Sequence, residues 1–323
     1  MLSRTAANLY WTGRYMERAD FLARLVDATT GLAGLACTYG GELADAWASA
    51  LAASSGQASY RKLHGELSQP AVVHFLTLDP ANPSSLRNCI GRARDNARTV
   101  RAAVSLEVWE ALNDAWHAVE RFGAAGLPSA RVSDLTQTAR HAVMAFDGSA
   151  QRTMMRSDAY WFLQLGAALE RGDNTARLLD QKYHLLLPGE EPVGGALDYF
   201  QWSAVLRTVS GLPTYHLVYC DEVKPWLVAD LLIFNPQMPR SLTACYRDAL
   251  MFLGQLGEGA VESAPAARLA AATMEGLTRS DIGEVFGSGL HEFLSDFIVD
   301  NNRLGSAVAE QFLFPEIPEW SLR

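Results

Sequence analysis

The sequence predicts an all-α protein: a helical bundle built from an internal duplication, with its halves related by a pseudo-two-fold axis. Three observations predict it. The pattern ERxDxxARLxD runs from Glu17 to Asp27 and again from Glu170 to Asp180, an offset of 153, with a Tyr-Trp pair ahead of each copy (Tyr10-Trp11 and Tyr160-Trp161). A Pro-containing turn, Asp79 to Cys89, recurs as Asn235 to Cys245 at an offset of 156, with five of eleven positions identical. Apolar residues recur at helical spacing along most of the chain, with no alternating strand run and no hairpin signal. The repeats divide the 323 residues into halves at 1–150 and 151–323 that are expected to pack as one compact unit.

The first helix is expected from Ser3 to about Leu35, with Ser3 or Thr5 as its cap and Gly31 and Gly34 loosening its end. On a helical wheel Trp11, Tyr15, Leu22, Leu25 and Val26 share one face, while Glu17, Asp20, Arg24 and Asp27 form a polar stripe on another. Arg18 falls among the apolar residues, where a guanidinium must find partners. A short Ala-rich helix begins after Gly40-Gly41, and an apolar segment from Tyr60 to Leu78 is divided by Pro70. Each repeated turn then ends in a serine placed to cap a helix, Ser85 and Ser241.

The helix after the first turn, Leu86 to about Val104, carries a basic stripe of Arg87, Arg94, Arg98 and Arg101; its counterpart from Leu242 to Leu256 keeps only Arg247. Further helices are expected at 106–121, 133–146 and 157–187, the last stopped by Pro188-Gly189 at the head of a linker reaching Gly195. The second half continues with helices at 197–209, 223–234, 242–256, 265–274 and 290–314, before Pro315 and Pro318 break the tail.

Composition narrows the function classes. With 49% hydrophobic and 20% charged residues, the chain has ample material for a core, so disorder is not expected. A net charge of −9 argues against coating nucleic acid or an anionic membrane, and neither partner is expected. The apolar run from Trp226 to Phe234 is too short to span a bilayer, and the N-terminus lacks the apolar core of a signal peptide. Cys37, Cys89, Cys220 and Cys245 form no CxxC pair, which reads as reduced thiols in the cytoplasm. No P-loop, dinucleotide fingerprint, nucleophile elbow or HExxH motif occurs, and the seven histidines make no ExxH helix, so no cofactor and no metal are expected.

The paired motif is the candidate site. In one reading Glu17, Arg18, Asp20 and Arg24 meet Glu170, Arg171, Asp173 and Arg177 across a central cleft, with Glu17 or Glu170 as general acid or base and the arginines orienting a carboxylate or phosphate. In the other these charges are a buried ion-pair network that fixes the register of the two halves. Arg94 and Arg98 of the basic stripe are candidate anion ligands, or simply a solvated helix face.

The opening Met1-Leu2-Ser3-Arg4 through Leu9-Tyr10-Trp11, Gly13-Arg14-Tyr15-Met16-Glu17-Arg18-Ala19-Asp20, the Asn235-Pro236 turn and the second Glu170-Arg171 resemble the bacterial alpha-E domain family. The resemblance spans essentially the whole chain; Asp20 stands where the family commonly has Glu, which keeps the charge and shortens the reach. The family has no settled activity. The resemblance implies a setting instead: members are typically encoded beside, or fused to, a circularly permuted ATP-grasp amide ligase, often with a transglutaminase-like peptidase nearby. An accessory or scaffold role in making or modifying a peptide or amide-linked metabolite is therefore the expectation, with a stand-alone enzyme and a purely structural module as the alternatives.

Overall fold

The computed structural model describes residues 1–39, 43–123, 127–185, 196–257 and 264–312, and among these it is all-helical, with no strand. The first half comprises α1 (Ser3–Tyr39), α2 (Leu43–Ala53), α3 (Gln57–His64), α4 (Gln69–Thr77), α5 (Leu86–Thr99), α6 (Leu106–Glu120) and α7 (Val132–Thr153). The second comprises α8 (Asp158–Leu185), α9 (Ala196–Thr208), α10 (Leu212–Tyr219), α11 (Pro225–Ile233), α12 (Leu242–Leu256), α13 (Pro265–Arg279), α14 (Ile282–Ser288) and α15 (Leu290–Gln311).

The two motif helices, α1 and α8, pack on each other at the centre. They run in the same direction: the Met1 amino group lies 3.4 Å from Asp158 Oδ2, Gly13 faces Leu163, and Arg171 Nη2 donates to Glu17 2.7 Å away. Glycine sets how closely they cross. A Cβ at Gly13 would run into the carbonyl oxygen of Leu163, and one at Gly166 into that of Tyr10, so any side chain at either position would push the helices apart. The remaining helices pack in matching order. α5 lies on α1, α6 on α5, and α7 returns to α1; α12 lies on α8, α13 on α12, and α15 returns to α8.

Because α5, α7, α8 and α9 cover α1 on several sides, the Glu17 and Asp20 part of its polar stripe is withdrawn from solvent, while Asp27 at the far end stays partly exposed. Glu17 is 3% exposed and Asp20 is 2% exposed. Both repeated turns build the caps their serines predict. Ser85 Oγ accepts from Asn88 N at 3.3 Å, and Ser241 Oγ from Ala244 N at 3.0 Å. Asp79 and Asn235 close the same local turn, each accepting from the backbone two residues on at 2.8 Å. Cys89 and Cys245 follow at matching places and are buried.

Several boundaries differ from expectation. The basic helix stops at Thr99 and continues as a single tight turn over 101–103, so Arg101 leaves the α-helical stripe. α7 extends to Thr153, seven residues beyond the expected end at Phe146. α10 and α14 are short helices that the sequence pattern did not separate from their loops. The Ala-rich start at Gly40-Gly41, the linker 188–195, the prolines Pro315 and Pro318 and the side chain of Cys37 lie outside the described residues.

Candidate functional site

The paired motifs form two reciprocal clusters across the α1–α8 interface. In the first, Glu170 of α8 accepts from α1: Arg14 Nε donates to Oε2 at 2.7 Å, Arg18 Nε to Oε1 at 2.5 Å and Arg18 Nη2 to Oε2 at 3.1 Å. In the second, Glu17 of α1 accepts from the other half: Arg171 reaches Oε2 through Nε at 3.1 Å and Nη2 at 2.7 Å, and Arg240 Nη1 reaches Oε1 at 2.5 Å. Each glutamate thus draws on the arginine that follows the glutamate of the other copy. The apolar position of Arg18 on the wheel is resolved in the same way: it reaches through the interface to a buried carboxylate.

Burial by itself would raise the Glu17 carboxyl, but the guanidiniums of Arg171 and Arg240 outweigh it and hold it at about 2. Glu170 is buried too, and Arg18 and Arg14 hold it at about 2 in the same way. The thiols of Cys89 and Cys245, near Arg18 and Arg171 respectively, are pushed up to about 12 by burial despite those cations. Neither is a ready nucleophile.

The aspartates and second arginines pair within their own helix. Arg24 Nε donates to Asp20 Oδ2 at 2.6 Å, and Arg177 Nε to Asp173 Oδ2 at 2.7 Å, one helical turn apart in each case. The aspartates that close the motifs reach outer helices instead: Asp27 lies 3.8 Å from Arg140 of α7, and Asp180 contacts His291 Nδ1 of α15 at 2.5 Å.

The basic stripe does not join this network. Arg94 Nε donates to Asn113 Oδ1 at 2.6 Å with its guanidinium over Trp109, and Arg87 pairs with Glu120 at 2.6 Å over Trp116. Both serve the α5–α6 contact. Arg98 makes an exposed pair with Asp95 at 3.1 Å. No group of three or more His, Cys, Asp or Glu side chains that could hold a metal occurs among the described residues.

Two arginines of the clusters were absent from the candidate set. Arg14 lies one turn before Arg18 on α1, and Arg240 lies in the second Pro turn, where the first turn has Ser84. That mismatch between the aligned turns was the available signal. Arg240 joins Glu17 to Asp20 through Nη2 and Oδ2 at 2.6 Å, whereas Ser84 only receives Arg18 Nη1 at 3.3 Å.

A cavity of about 70 Å³ opens beside the Glu170 cluster, lined among others by Arg18, Ser84, Asp173, Asn174 and Arg177. Asn174 is 6% exposed, and its amide nitrogen Nδ2 is buried without a hydrogen-bond partner among the described residues.

This geometry defines a class: a helical protein whose core is locked by two Glu-Arg pairs exchanged between parallel helices. The family model described as a predicted alpha-helical domain with a conserved ER motif matches residues 1–313, and the chain belongs to that family, Alpha-E. Among similar proteins are uncharacterised proteins of Mycobacterium bovis and Mycobacterium tuberculosis, each 24% identical over 254 residues. The match covers 74% of this chain and 28% of theirs, so the chain spans less than a third of the length of these relatives. No solved structure matches the chain.

Proposed function

We propose that this chain is a cytoplasmic accessory or scaffold module that works with an ATP-grasp amide or peptide ligase in making or modifying a peptide or amide-linked metabolite. In this reading the two Glu-Arg motifs are the clamp between duplicated halves related by a pseudo-two-fold axis. The observation that carries the non-catalytic part is the saturation of both motif carboxylates. Each is buried, holds two guanidiniums, and sits at about 2. A carboxylate so stabilised in its ionised form is a poor proton carrier near neutrality, which disfavours Glu17 or Glu170 as a general acid or base.

The association with a second polypeptide has separate support. The curated relatives carry the matching region within much longer chains, which fits a domain that acts next to others. The identity of the partner as an ATP-grasp ligase, with a transglutaminase-like peptidase as a further associate, rests on the family resemblance. The test is sedimentation of the purified full chain with the ligase encoded beside it, with and without ATP. A complex in at least one nucleotide state, together with a changed ligase rate, is expected; two independently sedimenting species in every state would overturn the reading.

A further inference from the structure

The two clusters differ at one pair of aligned positions, and the difference leaves a space. In the Glu17 cluster the turn preceding α12 supplies Arg240, whose guanidinium joins Glu17 to Asp20. In the Glu170 cluster the turn preceding α5 supplies Ser84, and the cavity lies beside it. Glu170 keeps a second guanidinium because Arg14 provides it from α1; the residue 153 positions later, Ala167, has none to give. Asp173, in contrast with Asp20, is bonded among the described residues only by its helical neighbour Arg177, through Nε at 2.7 Å and Nη2 at 3.3 Å.

The walls of the cavity fix the chemistry it suits. Its charged lining is Arg14, Arg18 and Arg177 against Glu170 and Asp173, which leaves one positive charge. Asn174 and Ser84 add polar side chains to the lining. A pocket rich in donors, with a single excess positive charge, matches a monoanion; a phosphate dianion would meet two carboxylates at close range. A volume of about 70 Å³ takes a few non-hydrogen atoms. We propose that this cavity, and not the matching region of the Glu17 cluster, binds a small monocarboxylate, with Arg18 and Arg177 donating to it and Ser84 giving it room. The site is independent of any ligase association, since every group it uses belongs to this chain.

The test imports the filled cluster into the open one. Thermal unfolding of the full chain is followed at constant ionic strength in sodium chloride, sodium acetate and sodium phosphate. Wild type is expected to gain at least about 2 °C in acetate over chloride. Ser84→Arg places a guanidinium where Arg240 stands in the other cluster, so the variant is expected to unfold at a similar temperature in chloride and to lose the acetate gain. Ser84→Met fills the same space without charge and answers the question if the arginine variant does not fold; it too should lose the gain. The proposal is overturned if acetate gives wild type no gain over chloride, if the gain persists when the cavity is filled, or if phosphate gives the larger gain.

Discussion

The two occurrences of one sequence motif sit in two different surroundings. Around Glu17 the protein supplies the second guanidinium from outside the motif: Arg171 comes from the partner helix, Arg240 from the adjoining turn, and Arg240 carries the network on to Asp20 Oδ2, while Asp20 Oδ1 stays buried without a partner among the described residues. Around Glu170 both guanidiniums come from α1, the turn contributes only Ser84, and a cavity remains. Each buried glutamate is held ionised by two guanidiniums, and the chain supplies them by different routes. The identity of the core motif therefore says little about what surrounds it. The third group, outside the motif, decides whether the cluster is closed or open.

The largest expected effect separates the two clusters by what each glutamate leaves behind. Glu170→Gln leaves Arg14 and Arg18 side by side with no carboxylate between them, and should destabilise the fold by about 3–5 kcal/mol in denaturant unfolding. Glu17→Gln should cost less, because Arg240 keeps its bond to Asp20. Equal costs, or a larger one for Glu17→Gln, would show that Asp20 does not compensate Arg240.

Acid probes both clusters at once. Both carboxyls sit at about 2 when folded and near 4.5 otherwise, so the folded state holds fewer protons than the unfolded one. The stability they contribute is complete above about pH 4.5 and is lost as pH falls toward 2, at about 1.4 kcal/mol per pH unit for each carboxyl. In Glu17→Gln and in Glu170→Gln the slope of stability against pH in this window should fall by that share; an unchanged slope in either variant would mean that its glutamate is not held ionised.

The smallest expected effect lies outside the comparison. Arg98 and Asp95 are both exposed, so Arg98→Ala should change stability by no more than about 0.5 kcal/mol, with its Tm within a degree or two of wild type. A large loss would bring the basic stripe back as a structural or binding element.

What the sequence determined by itself is local. Helix type, the serine caps at Ser85 and Ser241, the burial of Cys89 and Cys245 and the central place of the Glu-Arg motif all follow from spacing and from residue chemistry, which act over one or two turns. Helices of seven or eight residues such as α14 and α10 repeat their pattern too few times to be read, and α5 ends at Thr99 without a glycine or proline to announce it.

Only the tertiary structure decided the partners. Along the chain, Glu17 and Arg18 are neighbours and the wheel assigns them to different faces; in the fold each finds its partner on the opposite helix, because the parallel crossing at Gly13 and Gly166 aligns the two copies. Arg14, Arg240 and Ser84 carry no motif of their own, and their roles arise only where chain segments far apart in sequence are packed together. An ion pair depends on distance in space, which sequence spacing reports within a helix and not between helices.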